Sequence, residues 1–190
     1  MKNYAKRDLI EQILKRDLTE DELTALPIIM EAVDLYINNQ IGSTFLNVSE
    51  STKYYDGGGK IINTDPVHSV SAVKLVDEDE IVQDTYDEGD YELRPRNETI
   101  KTWIEHRWGK FLKGTTNIAV IGKFSLSTDG TVPEDIQYAA SYLVAQTFMQ
   151  SFSGELKSES IEGYSRTFGK FTTEHEFIGI ALDKYKRVQI

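Results

Sequence analysis

Residues 131–148, Thr-Val-Pro-Glu-Asp-Ile-Gln-Tyr-Ala-Ala-Ser-Tyr-Leu-Val-Ala-Gln-Thr-Phe, hold the strongest helical pattern in this chain of 190 residues. Pro133 suits a first helical turn, and Glu134 and Asp135 lie where the helix dipole is positive. Small and apolar residues then recur at helical spacing on one face: Ile136, Ala139, Ala140, Leu143, Val144, Thr147 and Phe148. The stretch predicts a long helix with one buried side.

Helical patterns also occur near both ends of the chain. Thr19 and Glu22 form a capping box, and the short helical turn that they begin is expected to end near Pro27. A second helix is predicted from there to Ile41, with Gly42 as its C-terminal cap. The remaining helical signals are a final helix over 173–187 and a short early stripe of Leu9, Ile10, Ile13 and Leu14.

Between these helices, residues 44–127 change to a strand-like period of two. Tyr54–Ile62 is interpreted as a hairpin, because its three glycines can supply the positive φ angles of a tight turn. Further short strands are predicted at Val67–Val76, Ile81–Val82, Tyr91–Leu93, Thr99–Ile104 and Thr115–Leu126. The predicted fold is therefore α+β and mainly helical. A helical bundle (1–43 and 128–190) carries an inserted small antiparallel β subdomain (44–127), all within a single domain, 1–190.

The net charge of −10 is concentrated in one segment. The other residues are nearly balanced, with 22 acids and 21 bases, so the charge does not indicate binding to DNA phosphates. The absence of cysteine excludes disulfides and Cys-ligated zinc. Neither a secretory signal nor a membrane-spanning segment is expected. The nine acids of the segment are Asp77, Glu78, Asp79, Glu80, Asp84, Asp87, Glu88, Asp90 and Glu92.

Patterns that carry chemistry are weak. The glycine-rich loop ends in Lys60 followed by Ile61, without the Ser or Thr and the following helix of a phosphate-binding loop. The acidic segment lacks the spacing of an EF-hand, and the three histidines are too scattered for a zinc site. Trp103 and Trp108 beside several bases leave stacking on single-stranded nucleic acid as a minor alternative. We expect no catalytic residues, no metal and no cofactor.

Three stretches, taken in order, resemble the head–tail connector (adaptor) proteins of tailed bacteriophages. The first runs from Ala32 to Gly42 and is followed by Phe45. The second is the Tyr-Asp-Gly-Gly-Gly sequence followed by Pro66–Val73. The third is Val-Pro-Glu-Asp-Ile opening the long helix, followed by Ser-Glu-Ser-Ile-Glu-Gly-Tyr-Ser over 158–165. Together they span roughly residues 28–168, and their order carries the resemblance.

The resemblance implies a structural virion protein that assembles in the host cytoplasm. It would form a homo-oligomeric ring, typically of twelve copies, between the portal protein and a stopper or tail completion protein, with DNA passing through without specific binding. Three surfaces are predicted. Portal binding is assigned to Leu182, Tyr185, Lys186, Arg187, Val188 and Ile190. A subunit–subunit arm is assigned to Ser158, Glu159, Ile161, Tyr164 and Phe168. A channel-facing acidic loop is assigned to Asp77, Glu78, Asp79, Glu80, Asp84 and Asp87.

Other functions stay open at this point. The chain could be a tail-completion or neck protein one layer further from the capsid, or a monomeric binding module from a host. In a different class, it could be a small hydrolase that uses a pair of carboxylates, because an acidic sequence offers many candidates. For the C-terminal helix, packing on the chain's own core is as well supported as docking to the portal.

Overall fold

The computed structural model describes residues 3–46, 49–152 and 176–186. The chain divides into two compact units. We call them the helical unit, Met1–Gly42 with Val132–Ile190, and the β unit, Ser43–Thr131. The expectation of a single adaptor domain over 1–190 stays a prediction. In the part of the chain described, no helix is long and apolar enough to cross a membrane.

The helical unit contains α1 (Arg7–Leu14), α2 (Glu20–Ile41), α3 (Glu134–Phe152) and α4 (Glu176–Asp183). The predicted stripe of α3 is buried: Ile136, Ala139, Ala140, Leu143 and Val144 are 0% exposed and Phe148 is 2% exposed. The other helices pack on α3 or α2, with Ile10, Val33, Ile37 and Ile178 nearly inaccessible to solvent. The periodicity of residues 136–148 therefore correctly predicted which face of α3 is buried.

Helix α2 begins as predicted and continues further than predicted. The Thr19 hydroxyl accepts a hydrogen bond from the Glu22 amide while the Glu22 carboxylate accepts one from the Thr19 amide, so the capping box is confirmed. Gly42 ends the helix at φ +71°, also as predicted. The expected end at Pro27 is wrong, because the helix runs through it. A proline inside a helix costs about 3 kcal/mol of stability, and burial of the apolar face of α2 on both sides of Pro27 offsets this cost. The buried apolar residues of that face are Leu26, Ile29, Val33, Ile37 and Ile41.

The described residues of the β unit form seven strands in two antiparallel sheets. They are β1 (Ser51–Tyr55), β2 (Ile61–Val67), β3 (Ser69–Val76), β4 (Val82–Tyr86), β5 (Tyr91–Arg94), β6 (Lys101–His106) and β7 (Ile118–Lys123). One sheet has the order β1-β7-β3-β4 and the other β2-β6-β5. Their shared core includes Ile62, Val73, Ile104, Phe111, Ile118 and Val120.

Two further predictions about the fold are wrong. The protein is not mainly helical: in the described part of the chain, 26% of residues lie in strands against 35% in helices, which makes a sheet-rich α+β fold. The predicted hairpin at Tyr54–Ile62 is also absent, because β1 pairs with β7 and β2 pairs with β6. The glycines carry the chain from one sheet to the other. Pro66 lies within β2 at an irregularity in its pairing, where its missing amide hydrogen is tolerated.

Candidate interaction surfaces

The glycine segment, Gly57–Gly59, is hydrogen-bonded to the loop between β6 and β7. The Gly57 amide donates to the Gly114 carbonyl at 3.0 Å and the Gly58 amide donates to the Phe111 carbonyl at 3.1 Å. The Asn117 side chain locks this contact, accepting from the Gly57 amide and donating to the Leu112 carbonyl, both at 2.9 Å. A Cβ on Gly57 would lie 2.0 Å from the Leu112 carbonyl oxygen. Close backbone approach is therefore the reason for glycine at this position.

The fixed loop displays apolar and basic side chains. Trp108 is 80% exposed and Leu112 is 60% exposed. Arg107, Lys110 and Lys113 are exposed beside them. The hydrogen bonds to the glycine segment fix the backbone of this loop. The loop therefore holds its exposed apolar and basic side chains together on one surface.

The first part of the acidic segment, 77–81, is the turn of a hairpin formed by β3 and β4. One oxygen of the Asp77 carboxylate accepts from the amides of Asp79 (3.0 Å) and Ile81 (2.9 Å). The other oxygen accepts from the Gln83 side chain at 2.6 Å. Asp77 thus shapes the turn, whereas Asp84 lies within strand β4. Glu78, Asp79 and Glu80 are exposed on this turn, whereas Asp87 is exposed just beyond the other end of β4.

A groove of about 550 Å³ separates this hairpin from the β6–β7 loop. Asp77, Glu78 and Asp79 line one side, and Leu112 and Lys113 line the other. Ile81 and Val82, which follow the turn, are 59% and 48% exposed. This end of the β unit therefore combines acidic, basic and exposed apolar groups.

The end of α4 is tied to the start of α3. The Lys184 ammonium lies 3.0 Å from a carboxylate oxygen of Asp135, and the Tyr185 hydroxyl lies 3.2 Å from both oxygens of the same group. These groups lower the pKa of Asp135, against the raising effect of its burial. Leu182 is 1% exposed and packs inside the helical unit, while Lys186 is exposed. The helix thus packs on its own unit up to Tyr185.

Several predicted site residues lie outside the described part of the chain. The rest of the portal-binding set belongs to this group: Arg187, Val188 and Ile190. So does the whole predicted subunit–subunit arm: Ser158, Glu159, Ile161, Tyr164 and Phe168. Their roles stay predictions.

An apolar pocket of about 390 Å³ lies between α3 and α4. Tyr138, Tyr142, Phe177 and Ile178 line it, and the rings of Tyr138 and Phe177 meet edge to face at 5.5 Å. Phe177 is 49% exposed, so this aromatic wall of the pocket is accessible to solvent. The pocket required two helices to be brought together, so no local pattern could indicate it.

A buried carboxylate in the helical unit also escaped sequence reasoning. Asp34 is 7% exposed and accepts hydrogen bonds from the Tyr4 amide at 3.1 and 3.3 Å. Burial raises its pKa to about 7; the Tyr4 amide opposes this rise and the charge of Glu31 adds to it. The Tyr4 hydroxyl donates to the Asn38 side chain one turn further on. Asp34 therefore anchors the N-terminal segment to α2.

Comparisons with known proteins identify a shared fold. No family model matches the chain, and no curated protein matches it. A chain from the neck of an empty gene transfer agent particle, determined with C6 symmetry, aligns over 98% of this chain and 91% of its own, with TM-score 0.62 and 15% identity. A chain from the native gene transfer agent virion covers 91% and 81%, with TM-score 0.52 and 16% identity.

In the described residues, no group of three or more His, Asp and Glu side chains is placed to hold a metal.

The resemblance to phage head–tail connectors is confirmed at the level of fold. The fold of this chain is that of a chain in the neck of a phage-like gene transfer agent particle.

Proposed function

We propose that this protein is a structural subunit of the neck of a tailed-phage-like virion, namely the adaptor that forms a ring beneath the portal protein. The observation that carries the proposal is the likeness to the gene transfer agent neck chain over nearly the whole length of both. Its order of helices, β unit and helices agrees with the motifs from which the connector resemblance was drawn. The ring joins the capsid vertex to a stopper or tail completion protein, and packaged DNA passes through it.

The acidic hairpin suits the wall of such a channel. Glu78, Asp79 and Glu80 are exposed on the turn between β3 and β4 and have no neighbouring base in the turn sequence, so they repel the phosphates of passing DNA. We assign the channel surface to these three residues; Asp87 lies beyond the other end of β4, and its predicted role is separate from this surface. Asp77 holds the turn and Asp84 lies in β4, so both support the surface from behind.

Portal docking is assigned to the C-terminal residues beyond Tyr185. Leu182 and Tyr185 are held within the helical unit and position the segment, while Lys186, Arg187, Val188 and Ile190 make the contact. Removal of residues 187–190 is expected to abolish portal binding without changing the melting temperature. Removal of residues 184–190 is expected to lower that temperature as well, because it also removes the contacts with Asp135.

The test is size-exclusion chromatography with light scattering, run on the full-length chain with and without the purified portal protein of the same particle. We expect a ring-sized complex when the portal is present. A compact monomer that ignores the portal would overturn the adaptor assignment. Binding to the tail-side ring instead of the portal would place the protein one layer further from the capsid.

A further inference from the structure

The four-stranded sheet of the β unit has two edges of equal length. β1 and β4 each contain five residues and are the outer strands of the order β1-β7-β3-β4. Within the described residues, neither has a second strand beside it. Residues Val82–Thr85 of β4 are exposed, as are Ser51, Thr52 and Tyr54 of β1. Open strand edges of this kind can pair with another chain.

The directions of these edges allow one copy to extend the sheet of another. All three pairings in the sheet are antiparallel, so β1 and β4 run in opposite directions. A neighbour reached by rotation about an axis along the strands keeps its strand directions. Its β1 would therefore lie antiparallel to β4 of the first copy, and the alternation would continue around a closed ring.

The side-chain pattern selects a register for this pairing. Asp84 lies opposite Leu75, and Lys53 lies opposite Val120. Leu75 and Val120 both belong to the core face, so Asp84 and Lys53 are on the same face of the sheet. They can then lie directly opposite each other without moving either strand's core face toward solvent. In that register Thr85 faces Thr52, which is also a favourable cross-strand pair.

Charge distinguishes this pairing from the two-fold alternatives. Two copies of β4 joined around their central residue would place Asp84 against Asp84, and two copies of β1 would place Lys53 against Lys53. Like charges directly opposite each other destabilise a sheet, whereas opposite charges stabilise it. Lys53 lies 2.9 Å from Asp65 and 4.8 Å from the centroid of the Phe124 ring, and its side chain is 42% exposed, so a carboxylate of a neighbouring copy can also approach it.

We propose that β4 of one copy pairs antiparallel with β1 of the next, Asp84 opposite Lys53, and that this sheet extension is a contact of the ring. The inference rests on the proposed function, because it names the partner surface as a second copy of this chain.

A cysteine pair tests the register directly. The chain contains no cysteine, so Thr52→Cys with Thr85→Cys introduces the only two thiols. Opposed positions in an antiparallel pair lie about 4.5–5.5 Å apart at Cβ, near the range that a disulfide accepts. Oxidation of the assembled full-length chain is expected to give a ladder of covalent oligomers on a denaturing gel. Ser71→Cys with Thr85→Cys, also two exposed positions, is the matched control and should give no ladder.

Charge reversal supplies the second arm. Asp84→Lys or Lys53→Asp alone is expected to weaken assembly by roughly tenfold, and the two together in one chain should restore it. This rescue would not follow from a role of either residue in folding alone. Glu98→Lys, a charge reversal at an exposed position outside β1 and β4, should leave assembly unchanged.

The outcomes separate the two proposals. Rings that form with the portal protein but give no ladder would overturn the β4–β1 pairing and leave the adaptor function standing. Dimers from Asp84→Cys alone, with no ladder from the Thr52→Cys and Thr85→Cys pair, would indicate the two-fold β4–β4 contact and also overturn it. A chain that stays monomeric with and without the portal protein would overturn both.

Discussion

Replacement of Asp34 by asparagine should remove a pH dependence from the stability of the helical unit. Asp34 is 7% exposed, and burial raises its pKa to about 7 from an ordinary value of 3.8. Between these two values the folded protein keeps a proton that the unfolded chain releases. The free energy of unfolding therefore falls as the pH rises from about 4 to 7, by at most about 4 kcal/mol.

Asp34→Asn keeps an oxygen that can accept the Tyr4 amide and carries no charge to bury. We expect it to match the native protein near pH 4 and to be more stable by a few kcal/mol at pH 8. Urea unfolding followed by far-ultraviolet circular dichroism, which reports the helices, at each half pH unit would measure the difference. Glu31→Gln is the matched control, and its smaller effect should lower the midpoint of the pH dependence only slightly.

The pKa values of other groups are shifted so that stability is lost as the pH falls, which is the opposite of the effect of Asp34. They do not affect the comparison between the native protein and the variant. Burial lowers the pKa of His68, so its contribution is lost as the pH falls below about 6.5. Hydrogen bonding to Arg16 lowers the pKa of Glu22 to about 2, so its contribution is lost between about pH 4.5 and 2. Both are present in the variant and cancel in the difference. An Asp34→Asn protein less stable than the native one at pH 8 would refute the reasoning, since it would mean that the ionised carboxylate is stabilising.

Three further substitutions test individual contacts. Gly57→Ala should destabilise the β unit by more than 1 kcal/mol, because its Cβ would lie 2.0 Å from a carbonyl oxygen of the β6–β7 loop. Thermal unfolding followed by tryptophan fluorescence measures the loss. Gly89→Ala, which has open space around it, is the control and should leave the melting temperature unchanged. Thr19→Ala should lower the free energy of unfolding in urea by about 1 kcal/mol, because it removes the N-cap of α2. An equal loss for Thr24→Ala would show that the effect is not specific to the cap. Tyr185→Phe should cost about 1 kcal/mol, and an unchanged melting temperature would show that its bond to α3 is not needed.

The sequence predicted the features that depend on neighbouring residues. The stripe of α3, the capping box at Thr19 and the cap at Gly42 all follow from helical spacing and local hydrogen bonds, and all are present. The existence of most strands followed from their period of two. The end expected at Pro27 failed because burial of apolar residues on both sides outweighs the local preference of proline.

Long-range pairing was decided only in the tertiary structure. The glycines after Tyr55 were interpreted as a hairpin turn because turn chemistry is local. The strands on either side of them pair instead with β7 and β6, about 65 and 40 residues away in the chain. The burial of Asp34 likewise depends on Tyr4. Which strands are edges, and which charges lie at their centres, also follows from sheet order. A single sequence carries little trace of such order, because each strand's pattern records which face is buried and not which strand lies beside it.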